Sequence, residues 1–157
     1  MLFRPLWQRQ KNWVVYEKFC KTAQDNSYYF FKYCMEHLPE KERRHIYYIM
    51  DPREPDYKNV AGYSRQVVPF MSLKHMLLTL SMRICISSDS TSHLYVWRSK
   101  PSIVRRAIKQ KEELFLQHGV TAMKRVDQLF GKKGSSPMTY FVTCSLPEHD
   151  IVVREFG

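Results

Sequence analysis

Six short runs of apolar residues recur along the chain, separated by polar or helix-like segments. Most of the runs are continuous rather than alternating, which is typical of strands buried on both faces of a parallel sheet. The third run contains Pro69, which predicts an edge position or a strand end, because proline cannot donate to the ladder. The predicted strands are residues 12–17, 45–50, 66–70, 83–88, 113–119 and 138–144.

Segments with helical periodicity lie between these strands. Ser72 predicts the start of one helix, whose apolar residues recur on one face, as expected for packing on a sheet. This order of elements indicates an α/β domain, with a mostly parallel sheet covered by helices on both faces. The main predicted helices are residues 28–38, 73–82 and 146–156, with shorter pieces at 93–97 and 124–130. Residues 1–11 are interpreted as a leader, and residues 53–65 as a loop with a possible short turn.

Open parallel sheets bind ligands at the carboxyl ends of their strands. The residues that follow the predicted strands are therefore the first place to look for a site. They are Asp51, residues 87–90, the pair His118 and Gly119, and residues 144–145.

The pair His118 and Gly119 is the most informative of these. A histidine at a strand end can take a proton from a hydroxyl group near neutral pH, and the glycine leaves room beside the ring. The alternative is a structural histidine within a turn, which the spacing alone favours. Among the other histidines, His93 follows a polar turn and is the only further candidate for a site.

Two more segments have both a structural and a functional interpretation. Asp25 and Asn26 precede a helix, either as its N-cap or as part of an anion-binding helix start; the sequence alone favours the cap. Residues 87–92, including Ser88, could bind phosphate through backbone N–H groups or simply form a turn. Neither GxGxxG nor GxxxxGK[ST] occurs, so neither a dinucleotide site nor a P-loop is expected.

The net charge of +10, from 25 basic and 15 acidic residues, favours an anionic partner, although a solvated surface gives the same balance. Residues 98–111 are basic with interleaved apolar residues, and either lie on an anionic bilayer or form a solvated linker. Aromatic residues precede this run instead of interleaving with it. Nucleic acid is therefore not expected as a partner.

The four cysteines are far apart and include no CxxC, which argues against a zinc site and a disulfide framework. No pair of histidines has metal-ligand spacing, and neither a metal nor a cofactor is expected. Most of the cysteines lie in apolar stretches, as buried free thiols do. With no long apolar run and no signal peptide, the expected location is the cytoplasm.

The order of motifs resembles that of the CDP-glycerol glycerophosphotransferases, and the resemblance covers residues 13–157. Two departures from the family pattern are visible. Ser27 stands where glycine is usual, and Glu54 stands where serine is usual. The segments that carry the resemblance are residues 23–33 (AQDNSYYFFKY), 45–57 (HIYYIMDPREPDY), 72–75 (SLKH), 116–127 (LQHGVTAMKRVD) and 145–157.

The resemblance implies one half of a GT-B-like architecture, in which two Rossmann-like domains enclose the active site. It implies that this chain is the acceptor-side domain, that the donor-binding domain is absent from it, and that it has little activity alone. His118 would be the base that activates an acceptor hydroxyl, the oxygen would attack the β-phosphorus of CDP-glycerol, and CMP would leave. The other residues expected at the substrate are Gly119, Asp25, Asn26, Ser88 and Lys124.

The partners implied by the resemblance are CDP-glycerol, a lipid-linked glycerol-phosphate acceptor and an anionic membrane surface. They would place the chain in the cytoplasm, bound peripherally to the inner face of the membrane. Two alternatives stay open: a stand-alone basic module that binds membrane or nucleic acid without catalysis, and a folded but inactive remnant. CDP-ribitol as the donor also stays open.

Overall fold

The computed structural model describes residues 11–95, 110–117, 119, 127–134 and 137–156. Six strands form one sheet in the order β3-β2-β1-β4-β5-β6, and every pairing is parallel. This is the strand order of dinucleotide-binding Rossmann sheets, so the predicted Rossmann-like sheet is confirmed. The strands are β1 (Trp13–Tyr16), β2 (Ile46–Met50), β3 (Val67–Pro69), β4 (Ile84–Ser87), β5 (Glu112–Phe115) and β6 (Tyr140–Phe141).

Helices and single turns connect the strands. Among the described residues, three helices are long enough to matter for packing: α1 (Asn26–His37), α4 (Leu73–Ser81) and α6 (Leu146–Phe156). The short ones are α2 (Glu40–Arg43), α3 (Tyr57–Val60) and α5 (Asp127–Phe130). Single 3-10 turns are formed by Lys18–Cys20, Ala61–Tyr63 and Thr91–His93.

The strand β1 lies at the centre of the sheet and separates two apolar cores. Val15 faces the core that contains Phe31 of α1, whereas Val14 and Tyr16 face the core that contains Leu78 of α4. All five side chains are buried. Because neighbouring residues of a strand point to opposite faces, continuous apolar runs are needed to fill both cores. Helices on both faces, as predicted, are therefore confirmed.

Several predicted boundaries were wrong. The fifth strand ends at Phe115 and not at Gly119, so His118 comes after the strand and not at its end. The sixth strand is only Tyr140–Phe141. Residues 53–65, interpreted as a loop, contain the helix α3 and a 3-10 turn. The third strand does lie at the edge of the sheet, as Pro69 predicted.

Candidate functional site

Asp25 and Asn26, which follow β1, and Ser88, which follows β4, come together at the carboxyl edge of the sheet. The contact lies where the strand order reverses, between β1 and β4, which is where open α/β sheets form their ligand crevice. Ser88 donates its backbone N–H to Ser27 Oγ at 2.8 Å and its hydroxyl to Asp25 Oδ2 at 3.3 Å. Ser27, which replaces the usual glycine, is thus buried and used in this contact.

Asn26 joins this group to the end of β5. Its side-chain Nδ2 donates to the carbonyl oxygen of Gln117 at 2.7 Å and to that of Leu116 at 3.3 Å. Gln117 directly precedes His118 in the sequence. His118 and Lys124 lie outside the described residues. Gly119 is exposed, and no described atom lies within 4 Å of the position that a Cβ would take there.

Gln117 is held from a second direction as well. Its backbone has a φ of 63°, in the left-handed region that non-glycine residues seldom adopt. Its side chain is buried and donates from Nε2 to the buried carboxylate of Glu148. Glu148 also accepts the backbone N–H of Cys144 at 2.7 Å, and so ties β5 to the start of α6. The sharp backbone conformation therefore falls at Gln117, one residue before the histidine.

The start of α1 already has an anion of its own. The carboxylate of Glu17, which is 1% exposed, accepts the backbone N–H groups of Gln24, Asp25 and Tyr28 at 2.8–3.0 Å. Asp25 is the N-cap residue, and its side chain accepts the N–H of Asn26. The capping interpretation is therefore confirmed. Since Glu17 uses the amides that a phosphate would need, this helix start is satisfied from within.

The polar loop after β4 is a hydrogen-bonded turn. Asp89 donates its N–H to Ser87 Oγ at 2.9 Å, and Ser92 donates its N–H to Ser90 Oγ at 3.3 Å. The loop ends in the Thr91–His93 turn, which packs against the Lys18–Cys20 turn after β1. The two turns thus lie side by side over the point where the strand order reverses.

His75 of the SLKH segment is structural. It is fully buried, and its Nδ1 accepts the backbone N–H of Met71 at 3.1 Å. Burial lowers the pKa of His75 to about 4, so the ring is neutral at pH 7. Its role is to hold the turn that leads from β3 into α4. His37 and His149 are exposed.

Asp51, which follows β2, is paired within its own loop. Arg53 donates to both carboxylate oxygens, at 3.0 and 2.7 Å, and its hydrogen bonds hold the pKa of Asp51 at about 2. Glu54, the second departure from the family pattern, forms an ion pair with Lys21 at 2.9 Å. Both acidic groups are therefore already paired with basic side chains.

The thiols do not suggest a reactive site. Cys20, Cys34 and Cys85 are buried and free, as predicted, whereas Cys144 is exposed. Burial raises the pKa of Cys34 to about 11, which makes this thiol a poor nucleophile. Within the part of the chain that the structure describes, no group of three acidic, histidine or cysteine side chains could hold a metal ion. None of the described helices is long and apolar enough to cross a bilayer.

A comparison with curated proteins found a relative of this chain. Over 153 residues, 95% of this chain, the sequence is 28% identical to the minor teichoic acid biosynthesis protein GgaB of Bacillus subtilis (strain 168). The chain is a homologue of part of GgaB. This finding confirms the resemblance given by the motifs. The chain spans only 16% of the length of GgaB. No protein-family profile matches the chain.

Gln117, Glu148 and Glu17 were not singled out as site residues by the sequence. Gln117 and Glu148 do lie in segments that carry the resemblance to the family, but 31 residues separate them, and no local pattern links them. Glu17 ends an apolar run, where a single acidic residue is as easily a solvated strand end. Only the folded sheet brings these side chains to one edge.

Proposed function

We propose that the chain is the acceptor-side domain of a transferase that extends a teichoic-acid-like polymer. The homology to GgaB supports a role in teichoic acid biosynthesis. The observation that carries the proposal is the 2.7 Å hydrogen bond from Asn26 to the carbonyl of Gln117. It ties the residue before His118 to the start of α1, beside the crevice where such sheets bind their ligands.

The transfer we propose moves glycerol phosphate from CDP-glycerol to a lipid-linked glycerol-phosphate acceptor. His118 acts as the base for the terminal acceptor hydroxyl, whose oxygen attacks the β-phosphorus of CDP-glycerol while CMP leaves. General base catalysis of this kind contributes about 10²–10⁴-fold to the rate. Gly119, Asp25, Asn26, Ser88 and Lys124 are the further residues that we propose to line the acceptor site.

The pairing of Glu17 with the start of α1 supports an acceptor-side role. In Rossmann sheets that bind dinucleotides, the pyrophosphate lies on the amides of the first helix. Here a buried carboxylate takes three N–H groups at that place. A nucleotide phosphate would meet a fixed negative charge there, which favours binding of the donor by a separate domain.

Gln117 is the positioning residue in this proposal. Its carbonyl is held by Asn26 and its side chain by Glu148, on two different elements of the fold. Since the peptide bond joins Gln117 to His118, fixing one residue restricts the direction of the next. Asn26→Ala should therefore lower kcat more than it raises KM, because the base is misaligned while the bound acceptor keeps its other contacts.

The test is release of CMP from CDP-glycerol in the presence of a glycerol-phosphate-primed lipid. The 157-residue chain should show no measurable release, whereas the chain joined to a donor-binding domain of a relative should be active. In that active protein, His118→Ala should lower kcat by about 10²-fold or more. His149→Ala, which removes an exposed histidine, is the matched control and should retain full activity.

Two results would contradict the proposal. Substantial CMP release by the 157-residue chain alone would mean that it contains a donor site. Near-normal release by the His118→Ala protein would remove His118 from the base role.

We propose further that the protein works in the cytoplasm, bound to the inner face of the membrane. The charge of +10 supports attraction to anionic lipid headgroups, which stand beside the lipid-linked acceptor. No metal, cofactor or nucleic acid enters this proposal.

A further inference from the structure

A fixed arginine lies at the carboxyl edge of the sheet, in the loop that follows β2. The guanidinium of Arg53 donates from Nε to Oδ1 of Asp51 at 3.0 Å and from Nη2 to Oδ2 at 2.7 Å. The backbone N–H of Arg53 also donates to Oδ1 of Asp51, at 3.0 Å. Three hydrogen bonds from one residue to one carboxylate hold the arginine side chain in a defined orientation.

The carboxylate of this pair faces inward and the guanidinium faces outward. The Asp51 side chain is 5% exposed, whereas the Arg53 side chain is 82% exposed. The hydrogen bonds from Arg53 hold the pKa of Asp51 at about 2, so both groups are charged at pH 7. Two of the five guanidinium N–H groups bind Asp51, and no described residue accepts the other three. The outer edge of the guanidinium therefore presents oriented donors to the solvent.

A second cation stands beside this loop. The Nζ atom of Lys21 lies 2.9 Å from Oε1 of Glu54, and the lysine is the more exposed of the two side chains, at 55% against 26%. The backbone N–H of Asp51 donates to the carbonyl oxygen of Cys20 at 2.8 Å, which joins the loop after β2 to the turn after β1. Lys21 and Arg53 therefore lie on adjoining loops, and each is more exposed than its carboxylate.

The loop that contains Arg53 is also fastened to the segment that leads to Asp25. The Asp56 carboxylate accepts the backbone N–H of Ala23 at 3.2 Å, and Nδ2 of Asn59 donates to the carbonyl oxygen of Ala23 at 2.9 Å. Neighbouring strands lie about 4.8 Å apart, so the end of β2 is about 10 Å from the end of β4. A ligand that contacts both the crevice and Arg53 is therefore an extended chain.

The outward donors suit a phosphate group. The planar edge of a guanidinium binds phosphate through two parallel N–H···O bonds. Each of the two ion pairs is a dipole with its positive end toward the solvent, so an approaching anion meets the cation at closer range than the carboxylate. The selection of an anion rests on this orientation and not on net charge, since the charges within each pair cancel.

We infer that Arg53, oriented by Asp51, and Lys21 form a phosphate-binding subsite for the acceptor chain, beside the crevice between β1 and β4. The phosphate belongs to a repeat behind the one whose hydroxyl reacts, so the subsite holds the polymer and takes part in no covalent step. This inference rests on the proposed function, which supplies the choice of a polyol-phosphate chain.

The test measures binding of a fluorescently labelled glycerol-phosphate oligomer to the 157-residue chain by fluorescence anisotropy. Arg53→Gln should weaken binding by about tenfold or more, because it removes the charged donors. Arg83→Gln is the matched control and should change the affinity by less than about twofold. Arg83 is also exposed and ion-paired, with Glu112 at 3.7 Å, but it precedes β4 and so lies at the opposite edge of the sheet.

The Asp51→Asn variant separates orientation from charge. It removes a negative charge, and the repulsion between that charge and a phosphate roughly 8 Å away in water is equivalent to only about a twofold gain in affinity. An arginine that is no longer fixed must lose rotamer freedom on binding, which lowers the affinity by about tenfold. The net result should be binding weaker by about fivefold. Tighter binding by this variant would overturn the role of Asp51.

Far-UV circular dichroism checks that each variant folds. If Asp51→Asn does not fold, Arg53→Lys replaces it, because lysine keeps the charge at an exposed position but has no planar edge. Arg53→Lys should weaken binding by about threefold or more, and unchanged binding by it would overturn the role of the guanidinium.

Three further results would overturn the inference: equal losses in Arg53→Gln and Arg83→Gln, equal binding of the oligomer and inorganic phosphate at the same phosphate concentration, or no binding of the oligomer. Anionic lipid is the other source of a phosphate group. Vesicles of phosphatidylglycerol that bind as tightly as the oligomer, and depend equally on Arg53, would assign the subsite to the membrane and overturn the acceptor assignment.

The two-domain protein distinguishes this inference from the proposed function. There Arg53→Gln should raise KM for the oligomer by about tenfold and change kcat little, because the contact is the same before and during the reaction. An unchanged KM beside intact CMP release would reject the subsite alone. Oligomer binding that depends on Arg53, in a protein without transferase activity, would reject the proposed function alone.

Discussion

Individual residues in this chain show how burial decides between a chemical and a structural role. His75 and His93 have the same side chain in different surroundings. His75 is buried with a ring nitrogen already bonded to the Met71 amide, and is therefore unable to exchange protons with a substrate. His93, whose side chain is 18% exposed, lies beside the acidic side chain of Asp89. The residue type is the same, and only the surroundings differ.

His75 should make the fold sensitive to moderately acid pH. Its pKa falls from 6.5 to about 4 on folding, so the unfolded chain binds this proton at higher pH than the folded chain does. Its contribution to stability is complete above about pH 6.5 and declines as the pH falls through 4, by on the order of 3 kcal/mol.

Urea unfolding at several pH values between 7 and 4 measures this effect. His75→Gln removes the titrating group and should flatten the pH dependence, whereas His37→Gln, at an exposed position, should leave it unchanged. Equal pH dependence in the wild type and the His75→Gln variant would contradict the assignment.

At the scale of elements, two buried carboxylates fasten the carboxyl edge of the sheet. Glu17 holds the start of α1, and Glu148 holds the end of β5 through Gln117 and the start of α6 through Cys144. Each carboxylate accepts hydrogen bonds from groups that would otherwise be buried without that partner. Such an arrangement makes the loss of the acceptor costly.

Glu148→Ala should lower the free energy of unfolding by about 2–4 kcal/mol, because it removes the acceptor of the Gln117 amide and the Cys144 N–H. The matched variant is Glu155→Ala on the exposed part of the same helix, expected to change stability by less than about 0.5 kcal/mol. Urea unfolding of both variants at pH 7 gives the comparison. Equal losses would show that the contacts of Glu148 contribute little.

The elements also show which predictions the sequence could support. The central strands could be located because a strand buried on both faces must be apolar at every position. The end of β5 could not be located from the sequence, because Leu116 and Gln117 look like a continuation of the strand. The contacts that hold these two residues come from Asn26 and Glu148, which are far away in the chain. The strand-end rule pointed to Ser88, and Asp25 and Asn26 were singled out as the start of a helix, whereas Glu17 was missed because its partners are backbone amides.

At the scale of the whole molecule, the charge of +10 should govern association with membranes. The chain should co-sediment with vesicles that contain anionic lipid and not with neutral vesicles, and added salt should weaken the binding. Replacing Arg105, Arg106 and Lys109 by glutamine should lower the affinity by on the order of 100-fold, if each charge contributes about 1 kcal/mol.

Three exposed basic residues elsewhere provide the matched control. Replacing Lys41, Lys58 and Arg65 by glutamine removes the same charge from other parts of the surface. If both triple variants lose affinity equally, the attraction comes from overall charge and not from residues 98–111. Equal binding to neutral vesicles would contradict the electrostatic account.

The central position of β1 has a consequence for how the chain acquires its structure. Strands β1, β2 and β3 can pair with one another as soon as residue 69 has been synthesised, but the other side of β1 stays open until β4 is available. During that interval an apolar strand displays unpaired amides and carbonyls, which invites pairing with another nascent chain. A fragment that stops before Ile84 should therefore aggregate, whereas one that extends past Ser87 should be able to close that edge.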